Sequence, residues 1–409
     1  MYKQIFPILP VSTFVPNQPN RLIPSPTLGH DIPYRQCSLS VLDTYDDPTL
    51  RFDENGVCHY FEDYKRAEAA GVFTGEEGER RFKAVIDRIK ADGVGRPYDC
   101  IMGVSGGVDS TYIAYLAHQH GLRPLAVHFD NGWNSELAVQ NIQNILDKLS
   151  IDLHTLVVDW EEFRDLQLAY LKSSVVDIEV ASDHAIFATL YRLASKHGIK
   201  HILNGNNIVT EHVLPKHWIF AKGDHVNLLA IHKAHGTLPL KTYPLFDYQV
   251  KKYIQKVQGV QSHTILNLVP YDKAAVKEVI KKELGWTDYG GKHYESIWTR
   301  FYQGHILPTK FGIDKRKAHL ANLIFSGQIT KEAAIEELKQ PIYPQEFFQQ
   351  DYGFVLKKLN LSETEWQTLM KTPPRSHYDY DYERPLFDRK PWLKPLRPLV
   401  LLAEKFLAK

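Results

Sequence analysis

The sequence predicts an α/β protein built around a parallel sheet, with a small N-terminal unit and a mostly helical C-terminal region. Short apolar runs alternate with helix-compatible segments through the middle of the chain, and this alternation is typical of βαβ units. The predicted buried strands are 100–104, 124–129, 152–158 and 201–203. The predicted helices between them are 110–120, 135–149 and 184–197.

The segments on either side of this alternation complete the domain prediction. Residues 1–35 hold seven prolines and are predicted to form an extended arm. Residues 36–95 are predicted to be a small unit that ends in a charged helix. We assign 96–260 to the sheet domain, and 261–409 to a helical region that contacts substrate or a partner.

Composition excludes several classes of protein. The 409 residues are 44% hydrophobic and 24% charged, which is ordinary for a globular chain of two or three domains. A net charge of +1 gives no general attraction to nucleic acid or to anionic membranes. No apolar run has the length of a membrane span. Three cysteines are too few for a disulfide framework, so we expect a cytoplasmic protein.

The first predicted strand leads into Ser105-Gly106-Gly107-Val108-Asp109-Ser110, and a helix-compatible run follows. Adjacent glycines allow a tight turn close to a ligand, and a helix N-terminus favours an anion. No Gly-Lys-Ser/Thr closes the loop, so it is not a Walker A loop. The motif resembles the pyrophosphatase loop (PP-loop) of ATP pyrophosphatases, whose fold is adenine nucleotide alpha hydrolase-like. We predict that these six residues bind ATP.

Polar residues also follow the second and fourth predicted strands. Because the carboxyl ends of parallel strands share one edge of a sheet, these residues should lie beside the PP-loop. The further cofactor-binding residues predicted there are His128, Asp130, Asn131, Asn204, Gly205 and Asn206. Asp109 and Asp130 are predicted to hold Mg²⁺, which prefers oxygen ligands. Ordinary turns are the alternative for the Asp-Asn-Gly and Asn-Gly-Asn sequences.

Charged residues later in the chain supply the remaining candidates. Asp183 opens a helix pattern, so it is either an N-cap or a general base. Glycines adjoin basic residues at 290–293 and 310–316, which indicates an anion site. The predicted catalytic residues are Asp109, Asp183 and His293. The predicted substrate-binding residues are Lys292, His293, Glu295, Arg300, Lys315 and Arg316.

Together these motifs resemble the N-acetyl sugar amidotransferase family of surface-polysaccharide and nonulosonic-acid biosynthesis. The resemblance runs from about residue 35 to about residue 340 and includes Asp43-Thr44 and Asp183-His184-Ala185. It implies an enzyme that uses ATP and Mg²⁺ to adenylate the acetamido oxygen of a nucleotide-linked sugar. Ammonia then displaces AMP and leaves an acetamidino group. The implied partners are a class I glutaminase subunit and a cyclase-like third subunit.

The chain departs from this family in its N-terminal unit. The family typically begins with two Cys-x-x-Cys pairs, which have the appearance of a zinc site. Here the pairs read Cys37-Ser38-Leu39-Ser40 and Cys58-His59-Tyr60-Phe61. Two of the four thiolates are absent. We therefore expect no zinc, with packing by Phe61 in its place.

Two other functions remain open at this stage. A tRNA-modifying PP-loop thiolase would need a catalytic cysteine and a basic RNA surface, but Cys100 lies within the first predicted strand. A non-catalytic scaffold subunit would explain the degenerate cysteines but not the intact PP-loop. None of the three cysteines stands in a Gly-x-Cys-x-Gly elbow, so ammonia is expected from a glutaminase partner.

Overall fold

A five-stranded parallel sheet forms the centre of the protein. The computed structural model describes residues 33–291, 294–384 and 395. The strands are β1 (Cys100–Gly103), β2 (Pro124–Asp130), β3 (Leu153–Val157), β4 (His201–Leu203) and β5 (Gln261–His263). Their order is β3-β2-β1-β4-β5, and every neighbouring pair is parallel. The direction of winding reverses between β1 and β4, and ligands of such sheets bind at that switch point.

Helices precede, cover and follow the sheet. In chain order the α-helices are α1 (His59–Gly71), α2 (Gly75–Asp92), α3 (Val108–Gln119), α4 (Glu136–Leu149), α5 (Trp160–Ser173), α6 (Val180–His197), α7 (Ile208–Glu211), α8 (His225–His235), α9 (Tyr248–Lys256), α10 (Lys273–Leu284), α11 (Ile297–Phe301), α12 (Arg316–Phe325), α13 (Lys331–Leu338), α14 (Gln345–Leu359) and α15 (Glu363–Lys371). A π-helix continues α11 over Tyr302–Phe311, and short 3₁₀ turns lie at Lys216–Trp218, Ile265–Leu268 and His377–Asp379. None of the helices in the described part of the chain is both long and apolar enough to span a membrane.

The predicted fold class is confirmed, and so are the four predicted strands. The elements that sequence reasoning missed are α1, α5, α7, α8, α9 and β5. β5 is a polar edge strand of three residues, so no apolar run announces it. It pairs with β4 although it lies beyond residue 260. The sheet therefore extends beyond residue 260, the predicted end of the sheet domain.

Both faces of the sheet are buried, which explains why its strands read as continuous apolar runs. Cys100 and Met102 pack in one cluster with α3 and α4. Ile101 points to the opposite face, into a cluster with α6. This alternation follows from the two-residue period of a strand.

Cys37, Ser40 and Cys58 lie close together in the core of the N-terminal unit. Cys37 Sγ accepts the backbone N–H groups of Ser40 at 3.3 Å and of Cys58 at 3.2 Å. Ser40 Oγ lies 3.9 Å from Cys58 Sγ. Phe61, at the fourth position of the pattern, packs on Phe325 of α12 with ring centroids 5.3 Å apart. That contact joins the unit to the helical region.

A buried ion pair joins α11 to α14 in the C-terminal region. Arg300 donates from Nε and Nη2 to the Asp351 carboxylate at 2.7 and 2.9 Å. The side chains are only 9% and 3% exposed. The guanidinium also lies 4.7 Å from the centroid of the Phe347 ring. Arg300, predicted to bind substrate, is thus held in a structural contact.

Replacing Arg300 with methionine should lower the free energy of unfolding by roughly 3–5 kcal/mol, because Asp351 would stay buried without its cation. The double variant Arg300→Met/Asp351→Leu should recover most of that loss, since it removes the stranded carboxylate. Urea unfolding of both variants measures the difference. Equal stabilities of the single and double variants would show that Asp351 does not depend on Arg300.

Candidate nucleotide-binding site

The PP-loop makes a tight turn between β1 and α3. Gly106 has a φ of +77°, and a Cβ there would lie 2.8 Å from the carbonyl oxygen of Ala138. The position therefore requires glycine. Trp286 Nε1 and the Tyr289 hydroxyl donate to the Gly106 carbonyl at 2.8 and 3.1 Å. Residues far along the chain thus fix the shape of the loop.

The loop presents hydroxyl groups and a helix N-terminus together. Ser105 Oγ lies 3.3 Å from Ser110 Oγ and accepts the N–H of Gly107 at 3.2 Å. Gly107 is the N-cap residue of α3, and as a glycine it has no side chain that could cap the helix. The first N–H groups of α3 therefore keep their capacity to bind an anion, which the helix dipole favours.

A cavity of about 630 Å³ opens at the PP-loop. Pockets of roughly 300–1,000 Å³ are typical for small-molecule ligands. The predicted site residues in its wall are Ser105, Gly107, Val108, Asp109, Ser110, Gly205, Asn206 and Glu295. The structure therefore brings together the ends of β1 and β4 with the segment that precedes α11.

Two lysines of α10 also reach this cavity, and sequence reasoning missed both. Lys273 and Lys277 are one helical turn apart, so they share a face. Lys273 Nζ lies 3.8 Å from Asp109 Oδ2, and Lys277 Nζ lies 2.8 Å from Asp288 Oδ2. They supply positive charge to a loop that lacks a Walker lysine. Lysines at this spacing match no motif, so no local signal could have found them.

Asp109 is held from two sides. The Tyr271 hydroxyl donates to its Oδ1. Burial and the Asp109 carboxylate both raise the pKa of Tyr271, which therefore remains a donor. A Cβ added to Gly205 would lie 3.3 Å from Asp109 Cβ, so glycine allows the end of β4 to approach the PP-loop. Asp109 is fixed at the switch point of the sheet.

The two residues predicted to hold Mg²⁺ have different surroundings. Asp130 does not line the cavity, and its Oδ1 accepts from the Gly132 N–H at 2.9 Å and from Asn134 Nδ2 at 3.1 Å. The turn alternative describes this carboxylate correctly. Within the described ranges, no group of three or more His, Cys, Asp or Glu is arranged to hold a metal. Mg²⁺ often binds through one carboxylate and substrate phosphates, and Asp109 fits that role.

Three other predicted nucleotide ligands lie outside the cavity wall and have structural partners. His128 contacts the Val104 carbonyl through Nδ1 at 3.1 Å. The carbonyl can only accept, so Nδ1 carries the hydrogen. Asn131 Nδ2 donates to Ser182 Oγ at 3.4 Å. Asn204 Nδ2 donates to Ser262 Oγ at 2.6 Å. These side chains shape the strand ends.

Asp183 lies in a separate polar cluster at the start of α6. Glu179 is the N-cap residue of that helix, so the N-cap alternative for Asp183 is wrong. Lys222 Nζ lies 3.0 Å from Asp183 Oδ2 and 2.7 Å from Asp177 Oδ1. Burial lowers the pKa of Lys222, but these carboxylates outweigh burial and raise it. Asp183 does not line the nucleotide cavity.

The predicted substrate residues of the C-terminal region have different surroundings. Lys292 and His293 lie outside the described residues. Arg316 donates to Asp314 at 2.8 Å and to the Gln340 carbonyl at 2.9 Å, which anchors the chain just beyond α13. Lys315 Nζ lies 4.0 Å from Glu179 Oε2. Among the described members of this set, Glu295 alone lines the cavity.

Two family models match the chain on either side of this site. Residues 99–206 match the queuosine biosynthesis protein QueC, and residues 295–394 match the C-terminal domain of the LPS biosynthesis protein WbpG-like family. The chain thus resembles a PP-loop protein over 99–206 and the WbpG-like C-terminal domain over 295–394. The predicted resemblance to PP-loop enzymes and to a polysaccharide-related family is confirmed.

Curated relatives match at low identity. The uncharacterized protein MJ1599 of Methanocaldococcus jannaschii is 24% identical over 284 residues, 67% of this chain and 84% of that protein. The tRNA-specific 2-thiouridylase MnmA of Clostridium beijerinckii is 26% identical over 223 residues. That alignment covers 48% of this chain and 54% of the thiouridylase. The chain therefore spans about half the length of that relative.

Solved structures match parts of the chain. The NMN synthetase of Francisella tularensis matches at a TM-score of 0.28 and 15% identity, over 53% of this chain and 90% of that one. The NH₃-dependent NAD synthetase of Campylobacter jejuni matches at 0.28 and 13%, over 53% and 99%. With TM-scores this low, the fold assignment rests on the sheet order and the PP-loop.

His184, beside Asp183, makes stability depend on pH. Its Nδ1 donates to the Lys222 carbonyl at 2.9 Å, and its Nε2 accepts the Phe246 N–H at 2.9 Å. Burial lowers the pKa of His184 to about 4. An unfolded histidine titrates near pH 6.5, so between these values only the unfolded state binds the proton.

Stability should therefore fall by roughly 3 kcal/mol as the pH drops from 6.5 to 4, through His184 alone. His184→Gln cannot take up that proton, so its free energy of unfolding should vary less over the same range. Urea unfolding of both proteins at pH 7 and pH 4.5 measures the difference. Parallel pH dependences would mean that His184 contributes nothing to it.

Proposed function

We propose that the chain is an ATP-dependent N-acetyl sugar amidotransferase of LPS O-antigen biosynthesis, located in the cytoplasm. The substrate is a nucleotide-linked N-acetyl sugar, and the product carries an acetamidino group. One observation carries the proposal: the PP-loop shares its cavity with Glu295, at the start of the WbpG-like domain. An ATP-activating loop and a polysaccharide-related domain thus meet at one cavity.

The first step forms a bond between the acetamido oxygen and the α-phosphorus of ATP. The bond from that phosphorus to the bridging oxygen breaks, and pyrophosphate leaves. The amide nitrogen loses its proton, which gives an O-adenylyl imidate. The N–H groups of α3 and the hydroxyls of Ser105 and Ser110 bind the departing pyrophosphate, and Lys273 and Lys277 neutralise its charge.

The second step replaces the activated oxygen with nitrogen. Ammonia adds to the imidate carbon, loses a proton, and the carbon–oxygen bond to AMP breaks. In both steps most of the rate gain comes from holding the two reactants in contact. The amide oxygen must lie against the α-phosphorus in the first step, and ammonia against the imidate carbon in the second. The cavity wall would hold the reactants in contact.

The charge of the cavity wall supports a requirement for Mg²⁺. The described wall holds two lysines and six carboxylates, which belong to Asp109, Glu211, Asp272, Asp288, Glu295 and Glu337. Negative groups outnumber positive ones, so ATP needs an accompanying cation to enter. When bound, Mg²⁺ would neutralise the phosphates, and Asp109 is the carboxylate of the PP-loop that would hold it.

The cysteines argue against the tRNA thiolase alternative. Cys37, Cys58 and Cys100 are all buried. Burial raises the pKa of the Cys100 thiol, so it stays protonated in the strand. A thiolase of this kind would need an accessible thiolate beside the nucleotide. A non-catalytic scaffold subunit would have no use for the PP-loop and the cavity beside it, which argues against that alternative.

With ATP, Mg²⁺, ammonium and a nucleotide-linked N-acetyl sugar, the purified chain should release AMP and pyrophosphate in equal amounts. Asp109→Asn should lower kcat about 10²–10³-fold, because the carboxylate faces the phosphates. Asp130→Asn is the matched control, since that carboxylate supports a turn outside the cavity and should leave kcat nearly unchanged. Chromatography of the nucleotide products decides the matter, and ADP with phosphate would exclude the reaction.

We also propose that a class I glutaminase subunit supplies the ammonia, with a cyclase-like third subunit as a further partner. A glutaminase needs an activated nucleophile, and all three cysteines of this chain are buried. The chain alone should therefore use ammonium salts but not glutamine. Amidine formation should become glutamine-dependent when the partner is added. Turnover of glutamine by the isolated chain would refute the need for a partner.

A further inference from the structure

Helix α12 has two faces with different surroundings. His319 and Leu323, one turn apart, line the nucleotide cavity. Leu320, Ala321 and Phe325 instead pack into the core of the N-terminal unit. The helix therefore forms a wall between the cavity and that unit. Any movement of the unit relative to the sheet would be transmitted to the cavity through α12.

Lys317 fixes the back of this wall. Its Nζ lies 2.5 Å from Asp43 Oδ2 and 2.5 Å from Asp46 Oδ2. The three side chains are 13%, 0% and 7% exposed. Burial raises the pKa of Asp46 even though Lys317 lowers it. The backbone N–H of Asp43 also donates to Asp46 at 2.9 Å, so the two carboxylates are held as one unit.

The geometry of a helix couples this ion pair to the cavity. Lys317 and His319 are two positions apart, which places them about 200° apart around the axis. They lie on opposite sides of α12, as their contacts show. Holding Lys317 against the N-terminal unit therefore sets the direction in which His319 and Leu323 face.

The proposed reaction limits where the acceptor can lie. Pyrophosphate leaves towards the PP-loop, and phosphoryl-type displacements place the attacking and leaving oxygens roughly in line. The acceptor must therefore approach the α-phosphorus from the part of the cavity away from the PP-loop. His319 and Leu323 of α12 line the same cavity, but they come from a helix and not from the strand ends that carry the PP-loop.

We propose that the α12 face formed by His319 and Leu323 binds the acceptor sugar, and that Lys317 is the residue that positions this face. This inference rests on the proposed amidotransferase function. An imidazole can exchange hydrogen bonds with sugar hydroxyls, and a leucine side chain suits the acetyl methyl or ring C–H groups. Glu337, in the same wall, accepts hydrogen bonds from hydroxyls and repels phosphate. The wall therefore suits the uncharged, hydroxyl-bearing part of the acceptor.

The inference also gives the N-terminal unit a role. Its cysteine pattern is degenerate, yet its core remains packed on α12 through Phe61 and Phe325. Lys317 of α12 also binds this unit through the buried carboxylates of Asp43 and Asp46. Bracing the acceptor wall accounts for both contacts.

Steady-state kinetics and calorimetry test the acceptor wall. His319→Ala should raise the KM for the nucleotide-linked sugar at least tenfold and leave the Kd for ATP within twofold. Lys317→Met should produce the same split. Lys331→Met is the matched control, because Lys331 donates to the Cys37 and Ser38 carbonyls from α13 and also joins the N-terminal unit to the helical region. Its kinetic constants should stay within twofold of the wild type.

A further variant separates positioning from folding. Lys317→Met leaves two buried carboxylates without a cation and lowers stability. Adding Asp43→Asn and Asp46→Asn should restore the melting temperature but not the KM for the sugar, since α12 stays unanchored. Lys317→Arg keeps the charge and should recover part of the sugar affinity. Recovery of both properties in the triple variant would mean that Lys317 serves folding only.

The outcomes distinguish this inference from the proposed function. If wild-type protein forms AMP and pyrophosphate, but His319→Ala and Lys317→Met leave the sugar KM unchanged, the α12 face is not the acceptor wall. The amidotransferase proposal would then stand without it. If no nucleotide-linked N-acetyl sugar yields AMP and pyrophosphate, the proposed function fails, and the acceptor assignment fails with it.

Discussion

The site depends on one constraint, which is that the first N–H groups of α3 stay open to the cavity. These N–H groups have no partner within the helix, and a side-chain cap would occupy them. The loop before α3 must therefore hold its shape by other contacts. Gly106 provides the turn, and Trp286 and Tyr289 bind its carbonyl. These two donors come from the segment after α10. The PP-loop is therefore formed at the end of β1 and held in shape by the segment after α10.

Sequence reasoning succeeded where the signal was local. The signal for each apolar strand and for the PP-loop lies within a few consecutive residues, and both were predicted. β5 was missed because its three polar residues pair at a sheet edge, where no apolar pattern is needed. Lys273 was missed because only the tertiary fold brings α10 to Asp109. An Asp-Asn-Gly turn and a metal ligand have the same sequence, and the Asp130 carboxylate makes the hydrogen bond of the turn.

The charged residues of the C-terminal motifs are also ambiguous in sequence, because an arginine can bind either a substrate anion or a carboxylate of the protein. On the sequence, Arg300 and Arg316 are both predicted to bind substrate, and Gly312 near Arg316 indicates an anion site. In the structure, Arg300 pairs with Asp351, while Arg316 holds Asp314 and a carbonyl beyond α13. A buried guanidinium needs several acceptors, and a protein carboxylate supplies them as well as a substrate phosphate does. A single sequence contains no information about which of these acceptors is present.

Two regions of the chain line the cavity, the strand ends of the sheet and the region after the sheet. This division suggests how one fold can act on different substrates. The PP-loop, Asp109 and Gly205 lie at the strand ends of the sheet and form one part of the cavity wall. Glu295, His319 and Glu337 come from the region after the sheet, and they face the space that remains. Under the proposed function, changes in that later region would alter the acceptor without disturbing pyrophosphate binding. The match of the sheet domain to QueC, and of the later region to a WbpG-like domain, follows the same division. Specificity in this chain is therefore expected to reside in the helices that close the cavity, and ATP chemistry in the sheet that opens it.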